Sequence, residues 1–194
     1  MTQTAVLALH YQNEVLHPDG KIRLGVAEGA TGRDQVIDRA LHLLTGARAA
    51  GVPVVSVRVA FRPDHTDVLQ NAPIFRDVVR LGAMTEGSWG AQFFDGLGPA
   101  PGEFVVTHNR IGAFHGSSLG DTLRVLGVTR LIVAGIATSS VVVTTVGQAA
   151  DLGFEVIVAR DACSAARPEM HAAALAIMSV VAELVSVDEA LRLL

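Results

Sequence analysis

The chain has 194 residues, a length typical of one domain, so we expect a single domain over residues 1–194. Half of the residues are hydrophobic and only 5% are aromatic, which predicts a core of aliphatic side chains. The net charge is −4 and no run of basic residues occurs, which argues against a nucleic-acid partner. No apolar run approaches the ~20 residues of a membrane span, and no basic segment of a signal peptide begins the chain. With Cys163 as the only cysteine, a cytoplasmic protein without disulfides or membrane contact is expected.

Short apolar runs alternate with segments of helical periodicity along the chain. In chain order we predict strand Thr4–Leu9, helix Thr31–Ala50, strands Pro53–Val59 and Glu103–Thr107, helix Leu119–Leu126, strand Arg130–Gly135, helix Ser139–Leu152, strand Phe154–Ala159, a helix from Pro168 to about Glu183, strand Leu184–Val187 and helix Asp188–Leu193. Thr31 and Ser118 occupy capping positions. This βαβ alternation predicts a mainly parallel sheet of about six strands with helices on both faces.

The region from Phe61 to Pro101 breaks this alternation. It is rich in Pro, Gly, Asp and Asn, and its periodicity is weak. A long irregular stretch in a compact domain is usually a lid, a binding loop or an interface arm. Trp89 lies in this region and is a candidate ligand contact, while Phe93 and Phe94 are candidates for an interface between subunits of a homodimer or larger homo-oligomer.

Open parallel sheets bind ligands at the carboxyl ends of their strands. That rule selects His10, His108 and the turn Gly135–Val141. The backbone N–H groups of Thr138, Ser139, Ser140 and Val141 would open the following helix and could hold an oxyanion or a carboxylate. The alternative is an ordinary strand-to-helix turn with capping serines.

Four segments in order resemble the isochorismatase-like (cysteine hydrolase) family. They are residues 5–20 (AVLALHYQNEVLHPDG), 105–119 (VVTHNRIGAFHGSSL), 131–151 (LIVAGIATSSVVVTTVGQAAD) and 153–163 (GFEVIVARDAC). The resemblance implies a Rossmann-like three-layer α/β/α fold and hydrolysis of small amides, imides or a vinyl ether. It also implies an Asp-Lys-Cys triad, with backbone N–H groups near a non-proline cis peptide, here Ile136–Ala137, that hold the oxyanion.

Three departures fall on the triad that the resemblance implies. His10 stands at the Asp position, His108 at the Lys position and Val141 at the Cys position. Without a nucleophile at Val141, a covalent thioester route is excluded, and Cys163 follows a different strand. Ser140 as a nucleophile would point about 100° away from Val141.

We therefore predict non-covalent acid/base chemistry by His10 and His108 on a small polar organic molecule, without a metal or other cofactor. Such a reaction would be hydrolase-like or lyase-like and independent of a thiol. The candidate substrate or oxyanion contacts are Gln12, Arg110, Phe114, Ile136, Ala137, Thr138, Ser140, Val141 and Trp89. Arg110 could bind a carboxylate or form a structural ion pair.

Two other interpretations stay open. The histidines could be relics of a lost site in a catalytically inactive binder or oligomer partner. A nucleotide-binding Rossmann domain is disfavoured, because no G-x-G-x-x-G follows the first strand and no P-loop occurs.

Overall fold

The computed structural model describes residues 3–22 and 31–194, in which six strands form one sheet. The strands are β1 Thr4–Leu9, β2 Val54–Val59, β3 Phe104–His108, β4 Arg130–Gly135, β5 Glu155–Ala159 and β6 Glu183–Val185. Their order is β3-β2-β1-β4-β5-β6, and all neighbouring pairs are parallel. The predicted α/β fold with a parallel sheet of about six strands is confirmed.

Helices connect the strands and cover the sheet. They are α1 Asn13–Leu16, α2 Thr31–Ala49, α3 Pro73–Leu81, α4 Leu119–Val125, α5 Val143–Asp151, α6 Pro168–Met178 and α7 Val187–Leu191. A π-helical turn, Thr138–Val142, precedes α5, and a 3₁₀ turn, Arg160–Ala162, follows β5. Among the described residues, no helix combines the length and the apolarity that crossing a membrane requires.

The central strands form the core because their residues are apolar on both faces. In β1 every residue from Ala5 to Leu9 is buried, and in β4 every residue from Leu131 to Gly135 is buried. Such continuous burial is typical of strands covered by helices on both sides. The direction of winding reverses between β1 and β4, which makes their carboxyl ends the topological switch point of the sheet.

Several predicted boundaries shift. The helix that begins at Pro168 ends at Met178 instead of about Glu183, because Glu183–Val185 pairs with β5 as the edge strand. The Ser118 side chain makes no cap hydrogen bond; the Ser117 hydroxyl accepts one from the Leu119 N–H, at 3.1 Å. The predicted capping side chain of Thr31 lies outside the described residues.

The region from Phe61 to Pro101 contains a helix that the sequence analysis missed. Helix α3 has Pro73 in its first turn and Gly82 in a left-handed conformation at its end, with φ of 56°. These are typical start and stop residues of a helix. Phe75 and Val78 are its buried residues, so α3 packs one apolar face against the protein.

Three polar residues after β1, which we call the polar clamp (Gln12, Asn13 and Glu14), hold the rest of this region. The Gln12 amide donates to the carbonyl oxygens of Val59 and Ala91, each at 2.9 Å, and accepts from the Val59 N–H. The Asn13 amide donates to the Trp89 carbonyl oxygen. All three clamp residues are buried, and buried polar groups need such partners.

Glu14 completes the polar clamp with a buried carboxylate. It accepts hydrogen bonds from the N–H groups of Lys21, at 2.8 Å, and Met84, at 3.2 Å. A Cβ atom at Gly90 would overlap the Glu14 carboxylate, so only glycine fits there. The irregular segment is therefore fixed by hydrogen bonds to the end of β1.

Phe93 and Phe94, which are predicted to lie at an interface, are less exposed than the sequence suggests. Both are only partly exposed, and Phe94 packs against the hydrophobic core. Phe93 forms an isolated antiparallel bridge with Gln12. Both aromatic residues therefore belong to the irregular segment that the polar clamp fixes.

Gly135 permits the close approach of β1 and β4 at the switch point, because a Cβ atom there would overlap the carbonyl oxygen and side chain of Leu9. We expect Gly135→Ala to lower the free energy of unfolding by about 2 kcal/mol or more, as overpacking does. Gly147→Ala is the control, since its Cβ would meet no atom within 4 Å and α5 should gain up to about 1 kcal/mol. Urea unfolding measures both, and equal stabilities of the two variants would contradict the prediction.

Candidate active site

The site lies at the carboxyl edge of the sheet, where three strands end. His10 follows β1, the segment Ile136–Val141 follows β4, and His108 is the last residue of β3. Strands β1 and β4 are neighbours, whereas β2 separates β1 from β3. His10 has a left-handed backbone, with φ of 55°, which is unusual for a residue other than glycine.

The structure brings the two predicted histidines into direct contact across the end of β2. The Nε2 atoms of His10 and His108 lie 2.5 Å apart, and their rings stack with centroids separated by 4.8 Å. The side chains of both residues are buried. A hydrogen bond between these two nitrogens requires one donor and one acceptor, so at least one ring is neutral.

Burial keeps both imidazoles uncharged at neutral pH. It lowers the pKa of His10 well below the ordinary value, and the nearby His108 lowers that pKa further. Burial also lowers the pKa of His108, to about 4. The backbone of Gly112 opposes this lowering of the His108 pKa, although no hydrogen bond of regular geometry reaches His108 Nδ1.

Neutral imidazoles carry one N–H each, so the pair has two arrangements of its protons. In one of these arrangements His108 carries its proton on Nδ1, and His10 Nε2 donates to His108 Nε2. The remaining ring nitrogen, His10 Nδ1, then carries a lone pair and can accept a proton.

A cavity of about 60 Å³ opens beside His10. Its lining comes from the segment after β1 with α1, from the end of β2, from α3 and from the loops after β2, α3, β3 and β4: His10, Val15, Ile22, Val59, Phe61, Ile74, Phe75, Val78, Met84, Arg110, Ile111, Ile136, Ala137, Ser140 and Val141. His108 is not in this lining, so it reaches a ligand only through His10. The wall from Phe61 to Met84, including α3, was missed because apolar cavity residues resemble ordinary core residues in sequence.

Arg110 reaches the cavity from the loop after β3. Its Nη1 donates to the Asn109 carbonyl oxygen at 2.7 Å. The loop is fastened further on, where the Ala113 N–H donates to the hydroxyl of buried Thr145 at 3.1 Å. Within residues 3–22 and 31–194, Arg110 forms no ion pair. The described contacts therefore do not support the alternative of a structural ion pair.

The turn after β4 has the predicted position, but fewer free donors than expected. The Ile136–Ala137 peptide bond is cis. The Thr138 N–H donates to the Ser164 carbonyl oxygen at 2.7 Å, and the Ser140 N–H donates to the Ala137 carbonyl oxygen at 3.1 Å. Two of the four predicted oxyanion donors are thus occupied, which leaves the N–H groups of Ser139 and Val141.

Thr138 belongs to the support of the turn and does not line the cavity. It is fully buried, and its hydroxyl lies 2.8 Å from His171 Nδ1 in α6. Burial lowers the pKa of His171, which favours the neutral ring. This contact could not be predicted, because no sequence motif pairs α6 with the turn after β4.

Three other predicted ligand contacts lie away from the cavity. Gln12 is fully buried and its amide is used by backbone groups, so it cannot bind a ligand. The Trp89 ring packs edge-on against His17, with centroids 4.9 Å apart, and it is about half exposed. The Phe114 ring stacks on the Phe154 ring. None of these three residues lines the cavity.

Cys163 does not replace a nucleophile in the turn. The thiol is buried and donates weakly to the Ala159 carbonyl oxygen at 3.5 Å. Burial raises its pKa to about 12, and a reactive thiol needs the opposite shift. Among the described ranges, no group of three or more His, Cys, Asp or Glu side chains is placed to hold a metal ion.

Comparisons with known proteins agree with this architecture. The isochorismatase domain model matches residues 4–189. An uncharacterized isochorismatase family protein, YecD of Escherichia coli O157:H7, is 33% identical over 148 residues, which cover 76% of this chain and 77% of YecD. The ureidoacrylate amidohydrolase RutB of Methylobacterium radiotolerans is 32% identical over 187 residues, which cover 89% of this chain and 72% of that protein.

A solved structure supports the same assignment. The isochorismatase family protein from Desulfovibrio vulgaris superimposes with a TM-score of 0.86 and 29% identity, over 97% of this chain and 96% of that one. The chain belongs to the isochorismatase family of hydrolases. The resemblance inferred from four sequence segments is thereby confirmed.

The buried imidazoles make stability depend on pH. Because the pKa of His108 is about 4 in the fold and about 6.5 in the unfolded chain, the unfolded chain binds its proton first as the pH falls. The free energy of unfolding should therefore decrease from pH 6.5 towards pH 4, by up to about 1.4 kcal/mol per pH unit for one proton.

We expect His108→Gln to make this dependence shallower between pH 6.5 and 4.5, with the remaining slope due to His10, whose pKa burial also lowers. His115→Gln is the control, because it removes an exposed histidine that forms no hydrogen bond or ion pair among the described residues. Urea unfolding across the pH range provides the measurement. If the slope is as steep in His108→Gln as in the parent protein, His108 is not a source of the pH dependence.

Proposed function

We propose that this protein is an isochorismatase-family hydrolase that acts on a small polar organic molecule without a covalent intermediate. The observation that carries the proposal is the contact between His10 and His108 beside the cavity. Val141, at the position where the family resemblance places the Cys nucleophile, offers no group that could attack a substrate. Chemistry here would therefore use the imidazoles and the backbone.

In this proposal His10 acts as the general base. Its Nδ1 removes a proton from a water molecule, whose oxygen attacks the carbonyl carbon of a small amide. The N–H groups of Ser139 and Val141 hold the developing oxyanion. His10 then returns the proton to the leaving nitrogen as the C–N bond breaks, so protons and electrons balance.

His108 would act as a positioning residue for His10 instead of as the predicted second acid or base. It accepts the His10 Nε2–H and shares the positive charge that His10 gains when it takes a proton. A base oriented by a buried partner is a recurrent arrangement in hydrolases. The name of one relative, a ureidoacrylate amidohydrolase, supports a small amide or ureido acid as the substrate class.

We expect the double variant His10→Ala, His108→Ala to abolish turnover while the fold is retained. The assay is ammonia release from ureidoacrylate and a panel of small amides, and circular dichroism checks the fold. His115→Gln is the matched control, because it removes an exposed histidine that lies outside the cavity lining, and it should retain turnover. Unchanged kinetics in the double variant would refute the acid/base role.

A second candidate function is a catalytically inactive small-molecule binder or oligomer partner. It is favoured by the low basicity of two buried, neutral imidazoles and by the apolar Val141. The same assay separates the candidates. Turnover of any small amide that disappears in the His10 variant excludes the inactive binder.

We also propose that the protein forms a homodimer or larger homo-oligomer in the cytoplasm. Large apolar side chains that are more than half exposed support an interface, in addition to the partly exposed Phe93 and Phe94. They are Leu69, Val125, Leu152, Ile177 and Val180. Light scattering should give a mass of at least twice 20.3 kDa, and a monomer at micromolar concentration would refute the proposal.

A further inference from the structure

The cavity beside His10 is apolar, which narrows the kind of ligand it accepts. Twelve of the fifteen lining residues are apolar, and His10, Arg110 and Ser140 are the exceptions. Eight of the fifteen lining residues are the branched residues Val and Ile. Groups without hydrogen-bonding capacity are favoured against such a wall, because burying an unpaired polar group costs free energy.

Arg110 is the only charged residue in this described lining, since both imidazoles of the site are neutral. A guanidinium has five N–H donors, and the recorded hydrogen bond of Arg110 uses one nitrogen. Nothing in the described wall neutralises its charge. A ligand carboxylate would do so through two parallel hydrogen bonds, which is the geometry that arginine provides.

The positions of the cationic side chains around the cavity favour a ligand with one carboxylate over a ligand with two. A groove beside the cavity shares Ile22 and Ile74 with it and contains two cationic side chains, Lys21 and Arg80. Arg80 pairs with Asp77 at 2.9 Å, and Lys21 Nζ donates to the Gly82 carbonyl oxygen at 3.0 Å. Both cations lie in this groove and outside the cavity lining, so the described lining of the cavity offers one cation, Arg110, for one ligand carboxylate.

The size of the cavity restricts the apolar part of the ligand. Apolar cavities of about 150 Å³ take a benzene ring, and this cavity measures about 60 Å³. A short branched alkyl group fits such a space better than an aromatic ring.

We propose that the cavity binds a short, branched aliphatic monocarboxylate, with its carboxylate on Arg110 and its alkyl group against α3 and Phe61. This inference rests on the proposed function, because the carboxylate and the alkyl group are the parts of a substrate that would hold its amide beside His10. Isovalerate is a probe that carries both parts and has no bond to hydrolyse. It differs from the polar molecule expected from sequence in giving the ligand an apolar body.

The test is calorimetric titration of the protein with isovalerate and with isovaleramide, its neutral counterpart of the same shape. We expect isovalerate to bind at least tenfold more tightly than isovaleramide or the dicarboxylate succinate. Benzoate should bind more weakly than isovalerate. Equal affinities for isovalerate and isovaleramide, or tighter binding of benzoate or succinate, would overturn the proposal.

Variants of Arg110 provide the second arm of the test. Arg110→Gln should weaken isovalerate binding at least tenfold and remove the preference over isovaleramide, whereas Arg110→Lys should restore part of it. Arg124→Gln is the matched control, because Arg124 is exposed on α4 and pairs only with Asp121. Unchanged isovalerate affinity in a folded Arg110→Gln variant would overturn the proposal.

The ligand assignment and the acid/base mechanism can fail separately. His108→Gln alters the pair without touching the cavity lining, so isovalerate should still bind this variant whether or not it turns over any amide. Retained binding there supports the ligand assignment alone. The parent protein could hydrolyse an amide while isovalerate neither binds to it nor inhibits that hydrolysis. This result would overturn the ligand assignment and leave the acid/base mechanism standing.

Discussion

The polar clamp at the end of β1 is the constraint on which the rest of the site depends. The chain leaves the sheet after Val59 in β2 and returns to it at Phe104 in β3, and the intervening backbone forms only isolated bridges, such as that of Phe93 with Gln12, among the described residues. Gln12 bonds to both backbone groups of Val59, and Glu14 accepts from the Met84 N–H. Because these groups lie in a low-dielectric interior, each hydrogen bond is strong and each loss would leave a costly unpaired group. One short segment therefore fixes an irregular one more than forty residues long.

The clamp also links the fold to the site chemistry. Gln12 lies two residues after His10, and Met84, held by Glu14, lines the cavity beside it. The left-handed backbone of His10 lies between the end of β1 and the clamp, so the ring position is set by rigid elements on both sides. Gly135 brings β4 close enough for the turn Ile136–Val141 to reach the same space. The arrangement brings the His10 imidazole and the backbone donors of the turn to one place on rigid elements.

The sequence predicted the sheet well because its strands are continuous apolar runs bounded by turn residues. Arg130–Gly135 and Thr4–Leu9 agree with the structure residue for residue. Helix α3 escaped because its nine residues lie in a Pro- and Gly-rich region, although Pro73 and Gly82 mark both ends. The contact between His10 and His108 could not be derived, since it needs the strand order. Gln12 was misassigned because a residue that fits a family pattern can serve the fold as well as a ligand.

Electrostatics within the site argue for a division of labour between His10 and Arg110. Two imidazoles in contact cannot both hold a full charge in a buried place, so the pair can take up one proton at most under ordinary conditions. A bound anion on Arg110 would change that balance, because a negative charge near His10 favours the protonated ring. Ligand binding would therefore raise the basicity of the pair when a substrate is present. Neutral imidazoles avoid a second buried positive charge near the cavity, whose lining already contains the Arg110 guanidinium.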